Sequence, residues 1–225
     1  EMTKSKGEIW SLSSLNKELL IQMKYSLFSA KVKDRLATGG TETFLGVSDV
    51  FDREPDEIIA TPFGYIGSQS QWASFLCKIG YVVCDRKQGK IFIYNGKAIE
   101  ISEIGQRNFF MKFLNTINDV DNPFNNNGLT GNYDEKNERI IITKIGDTSH
   151  TLSYSVKNNV WICKHNYFPN FIFNNRKSLF FVINESNNSK IYEHNIGING
   201  EFQGVKYESY IDVVFKQPNI ISKIF

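Results

Sequence analysis

Four short apolar runs follow one another between Trp72 and Ile101, and the links between them are too short for anything but tight turns. The runs are 72–79, 81–84, 90–94 and 98–101. The link after the third run contains Asn95-Gly96, the dipeptide that most strongly favours a two-residue β-hairpin turn. The segment 85–89 has the composition of a longer hairpin loop. This stretch therefore predicts a four-stranded antiparallel meander, which is the natural unit of a β-propeller blade.

Similar meanders are predicted on both sides of this one. Near the N-terminus apolar residues alternate with polar ones, and a helix over 14–35 is the competing but less favoured interpretation. The C-terminal part predicts a second meander, a weaker third one and a tail strand at 208–215. The remaining predicted strands are 8–13, 19–23, 27–32, 129–133, 139–144, 151–154, 160–165, 171–173, 178–183 and 190–194.

Helical spacing occurs once, at apolar positions 109, 110, 113, 114 and 117, and predicts a short amphipathic helix over 106–117. The predicted fold is therefore all-β, a partial propeller of three to four antiparallel blades with one short helix. The predicted organisation is an N-terminal β-meander at 1–36, a loop-rich connection at 37–71 and propeller-like blades over 72–225.

Two hairpin segments resemble each other. Asp85-Arg86-Lys87-Gln88-Gly89-Lys90 precedes one apolar run, and Asp134-Glu135-Lys136-Asn137-Glu138-Arg139 precedes another. Ser155-Val156-Lys157-Asn158-Asn159 is related to both. Their offset, 134 minus 85, suits a propeller blade of roughly 40 to 50 residues, although independent turn chemistry explains it too. In either case the first side chain is expected to accept backbone N–H bonds and stabilise the turn.

Composition and charge indicate which function classes are unsupported. With 26 Lys and Arg against 24 Asp and Glu, the formal net charge of +2 demands no nucleic-acid or acidic-membrane partner. No apolar run reaches the length of about 18 residues expected of a membrane span. The three cysteines Cys77, Cys84 and Cys163 exclude a full disulfide framework, although one pair could form, and we expect buried free thiols.

No catalytic, cofactor-binding or metal site is predicted. The histidines His150, His165 and His194 are not at metal-ligand spacing, and no phosphate-binding glycine loop or nucleophile elbow occurs. A propeller glycosidase with paired carboxylates remains an alternative, with Arg53 or Arg107 as sugar clamps. Its candidate carboxylates are Asp49, Asp52, Asp56, Asp85 and Asp134. A glycan-binding adhesin with exposed aromatic side chains is a second alternative, although Trp10, Trp72, Trp161, Tyr154, Tyr167 and Phe168 are expected to lie mostly in the core.

Several segments, in order along residues 40–225, resemble the tail muzzle, or nozzle, proteins of crAss-like bacteriophages and their short-tailed relatives. The first are Phe44-Leu45-Gly46-Val47-Ser48-Asp49 and Gly67-Ser68-Gln69-Ser70-Gln71-Trp72. The next are Gly80-Tyr81-Val82-Val83-Cys84-Asp85 and Glu100-Ile101-Ser102-Glu103-Ile104-Gly105. The last are Thr151-Leu152-Ser153-Tyr154-Ser155, Val160-Trp161 and Phe168-Pro169.

The resemblance implies a non-enzymatic structural component of the virion tail, assembled in the host cytoplasm. It implies a homo-oligomeric ring below the portal, sixfold in related nozzles, with other tail and portal-associated proteins as partners and DNA passing through non-specifically. It implies no cofactor. Both ends look cut, and the apolar segment 220–225 ends without a turn. We therefore expect a piece of a longer chain that completes its surface within a ring.

Overall fold

A computed structural model describes residues 4–31, 37–38, 41–42, 54–59, 64–116, 121–175, 177–185, 188–202 and 204–211. Strands dominate the described residues, and two compact units are present, Glu1–Asn195 and Ile196–Phe225. The first sheet has the strand order β1-β2-β3-β6 and is antiparallel. The next two strands along the chain, β4 and β5, pair with each other in a separate two-stranded sheet. These strands are β1 (Ile9–Leu15), β2 (Glu18–Met23), β3 (Leu27–Lys31), β4 (Ala37–Thr38), β5 (Thr41–Glu42) and β6 (Asp56–Glu57).

The next three sheets are meanders in which every strand pairs with its neighbour along the chain. The second sheet is β7 (Ser74–Cys77), β8 (Gly80–Asp85), β9 (Lys90–Tyr94) and β10 (Ala98–Glu100). The third sheet is β11 (Gly128–Asp134), β12 (Arg139–Ile145), β13 (His150–Ser155) and β14 (Val160–His165). The fourth sheet is β15 (Phe171–Asn174), β16 (Leu179–Glu185) and β17 (Asn188–Glu193). The second unit contains the two-stranded ribbon β18 (Glu201–Phe202) and β19 (Val205–Lys206).

The mostly-β prediction is confirmed, and strands replace the competing helix over the described part of 14–35. Two turns differ from prediction. The first strand continues to Leu15, beyond its predicted end at residue 13, so the first hairpin turns at Asn16 and Lys17. The turn after Tyr94 has three residues rather than two, because Tyr94 pairs with Ala98. The predicted tail strand is wrong at residues 208–211, which form no strand, and its remainder lies outside the described residues.

The predicted helix is present as α1 (Glu103–Asn115). Ile104 and Gly105 interrupt its first turn, since Gly105 has φ +69°, so regular helix begins near the predicted residue 106. Within the described residues it is the single α-helix, accompanied by two 3-10 turns at Lys4–Lys6 and Pro123–Asn125. Its Phe110 is fully buried and packs 4.6 Å from the ring of Trp161. The helix thereby closes one edge of the core between the second and third sheets.

The first strands of consecutive sheets lie side by side in chain order. β1 contacts β7, β7 contacts β11, and β11 contacts β15. The Gly131 N–H in β11 donates to the Trp72 carbonyl just before β7, at 3.1 Å. The Ile172 N–H in β15 donates to Thr130 Oγ1 at 3.2 Å. Gly131 is needed for this approach, because a Cβ there would lie 2.7 Å from the ring of Phe75.

Apolar cores fill the spaces between neighbouring sheets. Leu20 and Leu27 of the first sheet pack with Tyr81, Val83 and Phe92 of the second. The opposite face of the second sheet packs against the third through a larger cluster that includes α1. Strand β8 is buried at every position, as expected for a strand covered on both faces. Among the described residues no sheet closes on itself, so a closed propeller is not observed.

The resembling hairpins share a turn geometry but do not mark a sheet repeat. Asp85 accepts from the Gln88 N–H at 3.1 Å, Asp134 from the Asn137 N–H at 3.4 Å, and Ser155 from the Asn158 N–H at 3.2 Å. The predicted turn role of the first side chain is confirmed. The Asp85 loop, however, joins the second and third strands of its sheet, whereas the Asp134 loop joins the first and second. The offset therefore comes from turn chemistry, because the two loops are not at equivalent positions.

Candidate functional site

The carboxylates weighed as glycosidase residues have structural partners. Asp85 is fully buried and accepts hydrogen bonds from the Gly67 N–H at 3.0 Å and from Gln88. Asp134 is bound by Asn137, Arg139 and Asn195. The two loops lie at opposite ends of neighbouring meanders, so these side chains do not face each other. Asp56 lies in β6, and Asp49, Asp52 and Arg53 lie outside the described residues.

The other candidate residues are likewise dispersed. Arg107 is exposed and lies 3.7 Å from Glu103 on the same helix. Cys84 is buried, as expected, and burial raises the pKa of its thiol, but Cys163 is exposed because it lies on the edge strand β14. Within the part of the chain that the structure describes, no group of three or more His, Cys, Asp or Glu side chains is arranged to hold a metal ion.

The aromatic side chains follow the core expectation only in part. Tyr154 is fully buried, and Trp161 packs 5.2 Å from it and donates from its indole nitrogen to the Ile101 carbonyl at 3.0 Å. Trp72 and Phe168 instead remain 37% and 41% exposed. Trp72 meets Phe171 edge to face at 5.1 Å, at the junction of the second and fourth sheets.

A partly buried polar cluster joins the third and fourth sheets, and we call it the Arg139 joint (Asp134, Arg139, His165, His194 and Asn195). Arg139 Nε donates to Asp134 Oδ2 at 2.8 Å, and Arg139 also lies 3.0 Å from His194 Nε2. A guanidinium can only donate, so Nε2 of His194 must be the unprotonated, accepting nitrogen. Asn195 Nδ2 donates to Asp134 Oδ1 at 3.1 Å and so ties the end of the fourth sheet to the third.

The electrostatics of this joint keep both imidazoles neutral. Burial, and then the positive charge of Arg139, lower the pKa of His194 to about 4. The same two causes lower the pKa of His165 to about 4. Burial alone would raise the pKa of Asp134, but its hydrogen bonds from Asn137, Arg139 and Asn195 lower it overall. The joint therefore holds one charged pair beside two neutral rings.

A second polar cluster, which we call the Arg86 joint (Gln69, Ser70, Arg86 and Asp121), lies at the opposite end of the sheets. Arg86 contacts Asp121 at 2.8 Å, the Gln69 carbonyl at 3.3 Å and Ser70 Oγ at 3.4 Å. Burial raises the pKa of Asp121 even though Arg86 and Ser70 lower it. This joint ties the segments before the second and third sheets to the β8–β9 loop. Both joints therefore connect consecutive sheets.

Six hairpin turns lie together at the end of the sheets that carries the Arg139 joint. Asn16 Nδ2 donates to Asn95 Oδ1 at 2.8 Å, and Lys78 Nζ to Glu138 Oε1 at 2.6 Å. The Val156 N–H donates to the Glu138 carbonyl at 3.0 Å, and Lys136 Nζ to the Asn195 carbonyl at 2.9 Å. In a meander alternate turns fall at the same end, which explains the gathering. We call this surface the tip face, and its turns are 16–17, 78–79, 95–97, 135–138, 156–159 and 175–178.

Sequence reasoning missed both joints and the tip face as units. His194 and Asn195 are far from Asp134 along the chain, and only the pairing of sheets brings them together. The tip face did have a signal, because one lysine stands in each of the six turns. Among the described helices, none has the length and hydropathy needed to cross a membrane.

The sequence also matches a known protein family. The family model described as Crassvirus muzzle protein matches residues 1–185. The match extends to the N-terminus, beyond the resemblance over 40–225, and ends before the tail. Curated proteins give no match to this sequence. Because the family model covers more than half of the chain, this protein belongs to the crassvirus muzzle protein family.

Proposed function

We propose that this muzzle-family chain, a structural protein of the bacteriophage virion, forms part of a tail ring below the portal that conducts DNA during ejection. The family match carries the proposal. The two joints support a structural role, because their charged groups connect consecutive sheets. We propose that the protein has no enzymatic activity and binds no cofactor. We also propose that it assembles in the host cytoplasm with other tail and portal-associated proteins.

We further propose that the four sheets are an arc of a β-propeller, within the organisation 1–36, 37–71 and 72–225. Support comes from the first strands, which lie side by side in chain order, and from the meander connectivity. The outer face of the fourth sheet also supports a propeller that continues with a further sheet. Phe173 stacks on Phe180 at 5.1 Å and on Phe171 at 6.2 Å, and all three side chains are only half-buried.

That aromatic row lies on the face opposite Ile172 and Phe181, because successive strand residues point to opposite faces. Phe181 points towards the third sheet, because its ring lies 5.3 Å from that of Tyr167, which follows β14. It also contacts His194 of the Arg139 joint at the end of its own sheet. The row would therefore be covered by a further sheet, supplied by more of this protein or by a neighbouring subunit. A row covered by a neighbouring subunit would form a heterologous contact, and such contacts can close into rings.

Light scattering on the natural full-length protein tests the ring. We expect a defined oligomer at micromolar concentration, with six subunits as in related nozzles. A monomer at that concentration, with the aromatic row protected from solvent, would refute it. Turnover of a glycan panel by the purified protein would instead favour the glycosidase alternative, and glycan binding without turnover would favour the adhesin.

A further inference from the structure

The tip face carries positive charge from lysines that lie far apart along the sequence. Each of its six turns contributes one exposed lysine, and only two glutamates stand in the same turns. The whole chain, by contrast, has nearly equal numbers of basic and acidic residues. The lysines are Lys17, Lys78, Lys97, Lys136, Lys157 and Lys177.

The acidic side chains do little to cancel this charge. Glu138 is bound by Lys78 at 2.6 Å and is also within the electrostatic reach of Lys157, so two lysines share one carboxylate. The hydrogen bond and charge of Glu138 raise the pKa of Lys78, which keeps that lysine protonated. Glu135 is the other acidic residue in these turns.

The three described turns at the opposite end of the sheets differ. The turn 24–26 supplies Lys24, and the loop 86–89 supplies Lys87 and Arg86, but Arg86 is buried against Asp121. The turn 146–149 supplies an aspartate, Asp147, and no cation. One end of the sheets thus carries a lysine at every described turn, and the other end does not.

The remaining side chains of the tip face indicate what kind of partner it fits. Asparagine recurs at positions 16, 95, 137, 158, 159 and 175, and the large apolar residues in these turns are Ile79 and Val156. Lysine and asparagine are both common donors to phosphate oxygens. Protein–protein interfaces are instead depleted in lysine and depend on buried aromatic or arginine anchors, and the described residues of these turns contain neither.

We propose that the tip face binds duplex DNA through its phosphate backbone, without reading base sequence. The inference deepens the proposed conduit by naming the surface that DNA touches, and it rests on the proposed function for the identity of the polyanion in the virion. The spacing of single lysines over separate turns suits a distributed electrostatic contact. Such contacts are weak at physiological salt, with Kd of about 10⁻⁴ to 10⁻⁶ M, which permits DNA to move along the surface.

The test measures binding of fluorescently labelled duplexes of two unrelated sequences to the full chain over a range of salt concentrations. The variant K97Q/K157Q/K177Q removes three tip lysines whose side chains make no hydrogen bond or ion pair within the described residues. The control K87Q/K112Q/K164Q removes three exposed lysines elsewhere, with the same change in net charge. Circular dichroism establishes that both variants are folded.

We expect both duplexes to bind equally. Each lost phosphate contact reduces the slope of log K against log salt by about 0.9, so the tip variant should lose about 3 units of slope and bind about tenfold or more weakly at low salt. The control should retain the wild-type slope.

Equal losses in the two variants would overturn the proposal, as would absence of DNA binding at low salt. Tighter binding of polyglutamate than of duplex DNA would assign the face to an acidic protein and overturn it as well. None of these results bears on the ring, which light scattering tests separately. A monomer that still binds DNA through the tip face would refute the ring alone.

Discussion

Acidification should loosen the contact between the third and fourth sheets, because two histidines of the Arg139 joint are held neutral. In the folded protein the pKa values of His165 and His194 are about 4, against an ordinary value of 6.5. Between these values the unfolded chain binds more protons than the folded one. The contribution of each imidazole to the free energy of unfolding is therefore fully present above pH 6.5 and is lost as the pH falls towards 4.

The magnitude follows from the same linkage. Between pH 7 and pH 4.5 each histidine should lower the free energy of unfolding by about 2 kcal/mol, and the pair by about 4 to 5 kcal/mol. The raised pKa values of Asp85 and Asp121 act in the opposite direction, since those carboxyls bind protons more readily when folded. The difference in pH dependence of the free energy of unfolding between wild type and variants therefore isolates the histidines better than the wild-type pH dependence alone.

The assay is urea denaturation followed by circular dichroism at steps between pH 7 and pH 4.5. We compare the wild type with H165Q/H194Q and with the control H150Q, whose histidine packs against Phe109 and Phe113 outside the joint. The double variant should lose most of the acid sensitivity, and the control should retain most of it. The same pH dependence in wild type and double variant would refute the assignment of neutral histidines to the joint.

Two further substitutions test the joint and the core, each by urea denaturation at pH 7. Asp134→Ala should destabilise the protein by about 3 to 5 kcal/mol, because it leaves the largely buried Arg139 without its carboxylate partner, whereas the control Asp147→Ala in an exposed turn should change stability by less than about 0.5 kcal/mol. An effect of Asp134→Ala no larger than the control would contradict the buried pair. Phe110→Ala should cost about 3 to 5 kcal/mol through the cavity it leaves beneath α1, and the half-exposed neighbour Met111→Ala should cost much less. Equal costs would mean that α1 does not pack on the sheets as described.

Local patterns were sufficient to predict the strands and the chemistry of their turns. Asp85 and Ser155 cap hairpins by bonding to N–H groups three residues onward, an interaction contained within the loop itself. The helix start was predictable for the same reason, since Gly105 interrupts the backbone just before the apolar spacing begins. These features depend on neighbours in sequence.

The grouping of strands into sheets was not predictable in the same way. The 49-residue offset suggested a blade repeat, yet the two loops occupy different places in their sheets. Nothing local distinguishes a hairpin between first and second strands from one between second and third. The Arg139 joint depends likewise on His194 meeting a residue 55 positions earlier.

The lysines of the tip face are an intermediate case. Along the sequence they are dispersed, and the net charge of +2 by itself demands no nucleic-acid partner. Once the strands form meanders, alternate turns must fall at one end, so Lys78, Lys97, Lys136 and Lys157 gather there. Because alternate turns of a meander lie at one end, the positions of the lysines in the predicted turns were sufficient to predict this surface.

Cryo-electron microscopy of purified virions that contain this chain tests the central claim most directly. We expect density for the four sheets, with β1, β7, β11 and β15 side by side, in each subunit of a ring at the tail below the portal. Location of the chain in the capsid shell, or its absence from the particle, would contradict the proposed tail ring.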